Sequence, residues 1–189
     1  VGNGYLGVSK DASASEPVFL IVARLHWSKG VVNILKSFIE FSKQSGQGKL
    51  LIAGEGPCQK QLESIISQAC IEDRVSLLGN INHDEIDNYY RLATAVIISG
   101  DRIEGLSLVQ LEAMYHKLPI VVNQQQSSLL RKERVPYAEF SDKSVSSFIE
   151  ALNKVLLNRE DYKTSLPEKF TFNYMIKLYV DLIEDSAEV

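Results

Sequence analysis

Phe19-Leu20-Ile21-Val22-Ala23, followed a few residues later by Val31 to Phe41 with apolar residues at helical spacing, is the stretch from which the architecture can be read. A strand with one wet face would alternate apolar and polar residues, so a continuous apolar run of this length predicts a strand buried on both faces. The pair is a β-then-α unit. It repeats downstream as strand Leu50 to Ala53 with helix Gln59 to Ala69, strand Val75 to Leu78 with helix Asp84 to Leu92, and strand Ala95 to Ile98 with helix Leu108 to His116. Strand Ile120 to Val122 follows. Strands alternating with helices of this length imply an α/β fold, with a parallel sheet, right-handed crossovers and helices on both faces.

Outward from this repeat the signal weakens. Val1 to Glu16 is rich in Gly, Ser and Ala without apolar period and reads as a linker, so the domain is expected over residues 17–189. Past Asn123 the run Gln124-Gln125-Gln126-Ser127-Ser128 carries no clear pattern. Tyr137 to Phe140 reads as one more short strand, and Ser144 to Leu157 and Asn173 to Glu184 read as amphipathic helices separated around Pro167. No internal repeat is evident.

The 189 residues suit one core, and a composition 45% hydrophobic and 23% charged is that of a folded globular chain. Twenty basic against twenty-four acidic side chains, a formal charge of -4, give no global basic field for nucleic acid or anionic lipid, so any anion site must be local. No apolar run approaches the roughly 20 residues that cross a bilayer. Cys58 and Cys70 fall at opposite ends of one predicted helix, on the order of 18 Å apart at 1.5 Å per residue, too far for a disulfide. A reducing cytoplasm fits. His26, His83 and His116 share no metal-ligand spacing with the cysteines, and no metal is expected.

In an open parallel sheet, ligands bind at the carboxyl ends of the strands, where loops feed helix N-termini. After the first strand come Arg24 and Lys29, with Gly30 opening the next helix. Two cations beside unsatisfied amides suit a phosphate or diphosphate, although a solvated charged loop reads the same way. After the second strand, Gly54-Glu55-Gly56-Pro57 allows a tight turn or a close approach to a ligand, but it lacks the third glycine and acidic partner of a dinucleotide fingerprint. After the fourth strand comes Glu104-Gly105-Leu106-Ser107-Leu108-Val109-Gln110-Leu111-Glu112. Free amides from Leu106 to Val109 present positive potential to a phosphate, while Glu104 and Glu112, about two helical turns apart, can accept hydrogen bonds from hydroxyls on either side. A sugar nucleotide has that pattern, anionic in the middle with hydroxyl-rich rings at both ends. A helix-start glutamate plus an exposed one is the plainer alternative.

Together these segments resemble the C-terminal domain of retaining glycosyltransferases of family four, which have the GT-B fold. Val1-Gly2-Asn3-Gly4 is similar to the family's V-x-N-G at the domain junction, Ala23-Arg24-Leu25 through Lys29-Gly30 to G-R-L...K-G, and Gly54-Glu55-Gly56-Pro57 to G-x-G-P. Val75 to Gly79 resembles V-x-x-x-G, and Glu104 to Glu112 resembles E-x(7)-E before Ala113-Met114. Each motif is weak alone, but their order at successive strand ends is specific.

The resemblance implies that Arg24 and Lys29 bind the donor diphosphate and steady the leaving nucleotide, and that Glu104 contacts the transferred sugar. It further implies that Glu112 holds the ribose hydroxyls, that the amides of Leu106, Ser107, Leu108 and Val109 surround phosphate, and that Gly54 and Gly79 to Ile81 border the nucleotide. The nucleotide sugar, a UDP-sugar in first expectation, is a substrate, and no cofactor is implied. The acceptor would be a glycan or polyprenyl-linked molecule bound by an N-terminal domain missing here, and any membrane contact would come through that half or the acceptor. Two departures stand out: Lys117 occupies the family's usual glycine before Leu118-Pro119, and the Gln124 to Ser128 run replaces a loop often rich in glycine. Both are expected to reshape the pocket rim. A noncatalytic nucleotide-binding module and a sugar-nucleotide epimerase on the same fold remain as alternatives. An NAD-dependent dehydrogenase is disfavoured by the absent three-glycine fingerprint.

Overall fold

A computed structural model describes residues 16–103 and 107–171 of the chain. Six strands, β1 (Val18–Val22), β2 (Lys49–Ala53), β3 (Val75–Gly79), β4 (Ala95–Ile98), β5 (Ile120–Asn123) and β6 (Ala138–Phe140), form one sheet in the order β3-β2-β1-β4-β5-β6. Every neighbouring pair is parallel. The helices are α1 (Val31–Ser45), α2 (Gln59–Ala69), α3 (His83–Leu92), α4 (Leu108–Tyr115), α5 (Ser128–Lys132) and α6 (Val145–Leu157).

The apolar runs are continuous because alternate side chains feed two separate cores. Phe19 and Ile21 of β1, Leu50 and Ile52 of β2 and Ala95 and Ile97 of β4 point to one face, where α1, α2 and α6 cover them. Leu20, Leu51, Val96 and Ile98 point to the other, beneath α3, α4 and α5. On the first face Phe19, Phe38 and Phe41 meet edge-on or tilted, with ring centroids 5.7–6.2 Å apart. The chain builds outward from β1 to β3, crosses back along α3, and resumes at β4 beside β1. The order of strands therefore reverses between β1 and β4, the switch point at which open α/β sheets bind their ligands.

Among the described residues the expected strands and long helices are present, most within a residue or two of their predicted bounds. The Gln124 to Ser128 run is structured rather than patternless: Gln124–Gln126 make a 3-10 turn and α5 begins at Ser128. Cys58 and Cys70 flank α2 and both are free thiols. Among the described residues no helix is long and apolar enough to cross a membrane, and no group of three His, Cys, Asp or Glu side chains is placed to hold a metal. The expected helix Asn173 to Glu184 and the motif Val1 to Gly4 lie outside the described residues.

Candidate functional site

Past the end of β1 the chain keeps pairing with its neighbour. The Ala23 amide donates to the Ala53 carbonyl at 3.0 Å, and the Leu25 amide donates to the Glu55 carbonyl at 2.8 Å. This closeness explains Gly54 and Gly56. A β-carbon at Gly54 (φ 129°) would lie 2.0 Å from the Ala23 carbonyl oxygen, and one at Gly56 (φ 156°) 2.5 Å from that of Leu25. The glycines of this turn answer first to backbone against backbone, whatever ligand comes to rest above them.

Leu25 is buried, whereas Arg24 is exposed and makes no ion pair among the described residues. The His26 ring then caps a 3-10 turn, Trp27–Lys29, by accepting from the Ser28 amide through Nδ1 at 3.2 Å. Lys29 ends that turn and Gly30 begins α1 in the left-handed region at φ 64°. A β-carbon on Gly30 would lie 2.6 Å from Ser99 Oγ at the end of β4, so glycine is required twice over. The Asp101 amide donates to the Ser28 carbonyl at 2.8 Å, joining the two loops across the switch point.

The loop after β4 is held from beneath by side-chain amides that the sequence did not single out. Asn123, fully buried at the end of β5, donates through Nδ2 to the Gly100 carbonyl at 2.8 Å and to Asp142 Oδ2. Ser99 Oγ donates to the other oxygen of Asp142 at 3.1 Å. Gln126 donates to the Arg102 carbonyl at 2.6 Å, and Gln110 donates to the Gln126 carbonyl at 2.8 Å. Within the Gln124 to Ser128 run, Gln126 is 2% exposed and braces the loop. Among the described residues the side-chain carbonyl oxygens of Gln110 and Asn123 are buried without a hydrogen-bond partner.

Lys117 follows the end of α4. It adopts φ 56°, the conformation a glycine would supply. Its amide donates to the Met114 carbonyl and that of Leu118 to the Ala113 carbonyl, which makes a Schellman cap of α4. The backbone there follows the glycine-type path despite the lysine.

Ser107 caps the start of α4, its hydroxyl accepting from the Gln110 amide at 3.2 Å. The first-turn amides of Leu108 and Val109 are the ones such a cap leaves over at the positive end of the helix. The Leu108 side chain is 75% exposed and Val109 is half-buried against the second core. Further along α4, Glu112 is half-buried, and its Oε2 accepts from the phenol of Tyr90 at 2.6 Å. Gly79 ends β3 at φ 68° with its carbonyl accepting from the Gly54 amide at 2.7 Å, and Ile81 beyond it is half-buried. Glu104 and Leu106 lie outside the described residues. A groove between α1 and α6 near Gln44, Ile149 and Leu157 contains none of these residues.

Arg24, Lys29, Gly54, Gly79, Ser107 and Leu108 thus stand at the carboxyl ends of β1, β2, β3 and β4, and Glu112 stands a turn deeper on α4. Fold and site define a doubly wound, Rossmann-like α/β domain whose switch point lies between β1 and β4. The family model for glycosyl transferases group 1 matches residues 8–169, and the chain belongs to that family. It is 31% identical over 107 residues to the alpha-D-kanosaminyltransferase of Streptomyces kanamyceticus, which covers 57% of this chain and 28% of that protein. It is 29% identical over 117 residues to the alpha-monoglucosyldiacylglycerol synthase of Acholeplasma laidlawii, covering 62% of this chain and 28% of that protein. The chain therefore spans less than a third of these curated relatives. Among solved structures it resembles the pneumococcal O-GlcNAc transferase GtfA, solved in complex with UDP and GlcNAc, with a TM-score of 0.73 at 16% identity over 89% of this chain and 35% of that one. The architecture is that of one half of a GT-B glycosyltransferase.

Proposed function

We propose that this chain is the donor-binding domain of a retaining glycosyltransferase of family four, taking a nucleotide sugar with UDP as its nucleotide. The observation that carries the reading is the gathering of an uncommitted cation, Arg24, with Lys29 and the capped start of α4 around one crevice, in a chain of the glycosyl transferases group 1 family. Arg24 and Lys29 engage the diphosphate and stabilise the negative charge that grows on it as the bond to the sugar breaks. The amides of Leu106 to Val109 add to that field, Glu112 holds the ribose hydroxyls, and Glu104 holds the sugar. Gly79 and Ile81 border the base. Glu104 and Glu112 are hydroxyl acceptors in this scheme and not the acid and nucleophile of a glycosidase. UDP is favoured because a structural neighbour was solved with it.

The acceptor is a glycan or lipid-linked molecule of bacterial polysaccharide assembly. The diacylglycerol product in one relative's name fits a lipid-linked acceptor. Calorimetric titration with UDP, GDP and ADP tests the reading. UDP is expected to bind most tightly, and failure of all three to bind at millimolar concentration would count decisively against it. The isolated chain is expected to transfer no sugar.

A further inference from the structure

Glu112 does not stand alone. Its helix faces α3 through two links one turn apart: Tyr90 Oη donates to Glu112 Oε2 at 2.6 Å, and His116 Nε2 lies 2.9 Å from Asp87 Oδ1. His116, the C-cap of α4, follows Glu112 by four residues, and Asp87 and Tyr90 are three apart on α3, so each pair lies on one side of its helix. The rings of Tyr90 and His116 stack with centroids 5.2 Å apart and planes 5° from parallel, and Asp87 is held in turn by Arg91 at 2.6 Å. Tyr90 is only 1% exposed, its ring packed between the helices. Burial, and then the neighbouring carboxylate, raise its pKa, which keeps the phenol a donor across the working pH range.

The geometry points to Tyr90 as a positioning residue for Glu112: it occupies one carboxylate oxygen, fixes the side chain's rotation, and leaves Oε1 as the acceptor for a ligand diol. This inference rests on the reading of Glu112 as the ribose ligand. Among the described residues Oε1 has no hydrogen-bond partner, and a half-buried carboxylate with one oxygen spoken for presents the other in a fixed direction. A hydroxyl pair needs such a fixed acceptor, because a rotating carboxylate loses part of each bond to disorder. A purely structural pairing, in which a buried phenol simply finds an acceptor, gives the same contact but no dependence on the ligand's hydroxyls.

The discriminating measurement is the ratio of affinities for UDP and for 2′,3′-dideoxy-UDP. Tyr90→Phe keeps the ring and its stack on His116 and removes only the hydroxyl. It is expected to weaken UDP about fivefold to tenfold, less than the full worth of a hydrogen bond to a charged group because the carboxylate stays and only its fixed orientation is lost, while leaving dideoxy-UDP unchanged. Because both ligands are titrated into the same sample, the ratio does not depend on the fraction of variant that is folded. Glu112→Gln should abolish the same discrimination, and adding Tyr90→Phe to it should cost less than the two separate losses combined. Equal weakening of both ligands by Tyr90→Phe, or of neither, overturns the positioning role while Glu112→Gln still erases the ratio. If Glu112→Gln leaves the ratio intact, the ribose assignment itself is wrong, and Tyr90 positions nothing of use to the ligand. A wild-type chain that binds no nucleotide defeats both.

Discussion

The side-chain amide of Gln126 donates to the main-chain carbonyl of Arg102 at 2.6 Å, so a residue that follows β5 fixes the loop that follows β4. A β-carbon on Gly100 would lie 2.7 Å from the same Gln126 nitrogen, so loop and brace are in direct packing contact. Gln126→Leu removes the donor to the Arg102 carbonyl, which should cost about 0.5 to 1.5 kcal/mol in urea unfolding. The exposed neighbour Gln124, changed to Leu, should cost almost nothing. Similar losses at both positions would show that the run is unspecific and that Gln126 braces nothing.

Lys117 offers the opposite sign. As a non-glycine residue in the left-handed region it carries strain, while its exposed side chain makes no hydrogen bond or ion pair among the described residues. Lys117→Gly relieves that strain and, after the added flexibility of the unfolded chain, should stabilise the protein by about 0.5 to 1 kcal/mol. A denaturation midpoint that falls would mean the lysine stem supplies packing not evident in its exposure.

Two glycines with positive φ separate conformation from space. Gly46 caps α1 at φ 67° and an added β-carbon there would meet nothing within 4 Å, whereas at Gly54 that carbon would meet the Ala23 carbonyl at 2.0 Å. Gly46→Ala should cost about 1 kcal/mol from the left-handed backbone alone. Gly54→Ala must also push the β1 and β2 extensions apart, and should cost at least about 3 kcal/mol or prevent folding. Comparable melting temperatures for the two variants would contradict the close approach.

These contrasts mark how far the sequence could be read. The five apolar strand runs up to Val122 and their helices were legible because doubly buried strands and amphipathic helices leave periodic traces in Phe19 to Ala23 and Val31 to Phe41. Arg24, Lys29, Gly30 and Glu112 were legible because their spacing after strands is a local property. The braces were not. Gln110, Asn123, Gln126, Asp142 and Tyr90 act on residues 16 to 43 positions away, and an amide or a phenol in a helix or loop carries no pattern that names a distant partner. Nor does a lysine announce a left-handed backbone, except against a glycine expected at the same place.

Tyr90 supplies a pH test. Its folded pKa is raised above the ordinary value of 10.0, first by burial and then by Glu112, so the native state holds the phenolic proton more tightly than the unfolded chain does. The associated stability is fully present below pH 10 and is lost as pH rises above it, by up to about 1.4 kcal/mol per pH unit. Tyr90→Phe removes this one contribution and leaves every other alkaline titration in place. Plots of unfolding free energy against pH should therefore fall less steeply above pH 10 for the variant. Parallel curves would mean that the phenol is not protected by the fold.

The charges around the crevice give the sharpest separation of roles. Arg24 is exposed and without a partner among the described residues, so Arg24→Ala should leave the melting temperature unchanged while weakening UDP by about 1.5 to 3 kcal/mol, the worth of a charge-assisted contact to phosphate. Uridine, which lacks the diphosphate, should bind the variant and the wild type alike, and added salt should narrow the difference for UDP. Lys29→Ala should behave similarly toward the diphosphate. Along α4 the effects should divide by position: Glu112→Gln weakens free UDP, whereas Glu104→Gln leaves free UDP nearly intact and weakens only the UDP-sugar. The orientation of the donor follows from that division, with ribose toward Glu112 and sugar toward Glu104. A Glu104→Gln variant that loses as much affinity for free UDP as Glu112→Gln does would reverse or dissolve that orientation, even if the arginine and lysine results stood.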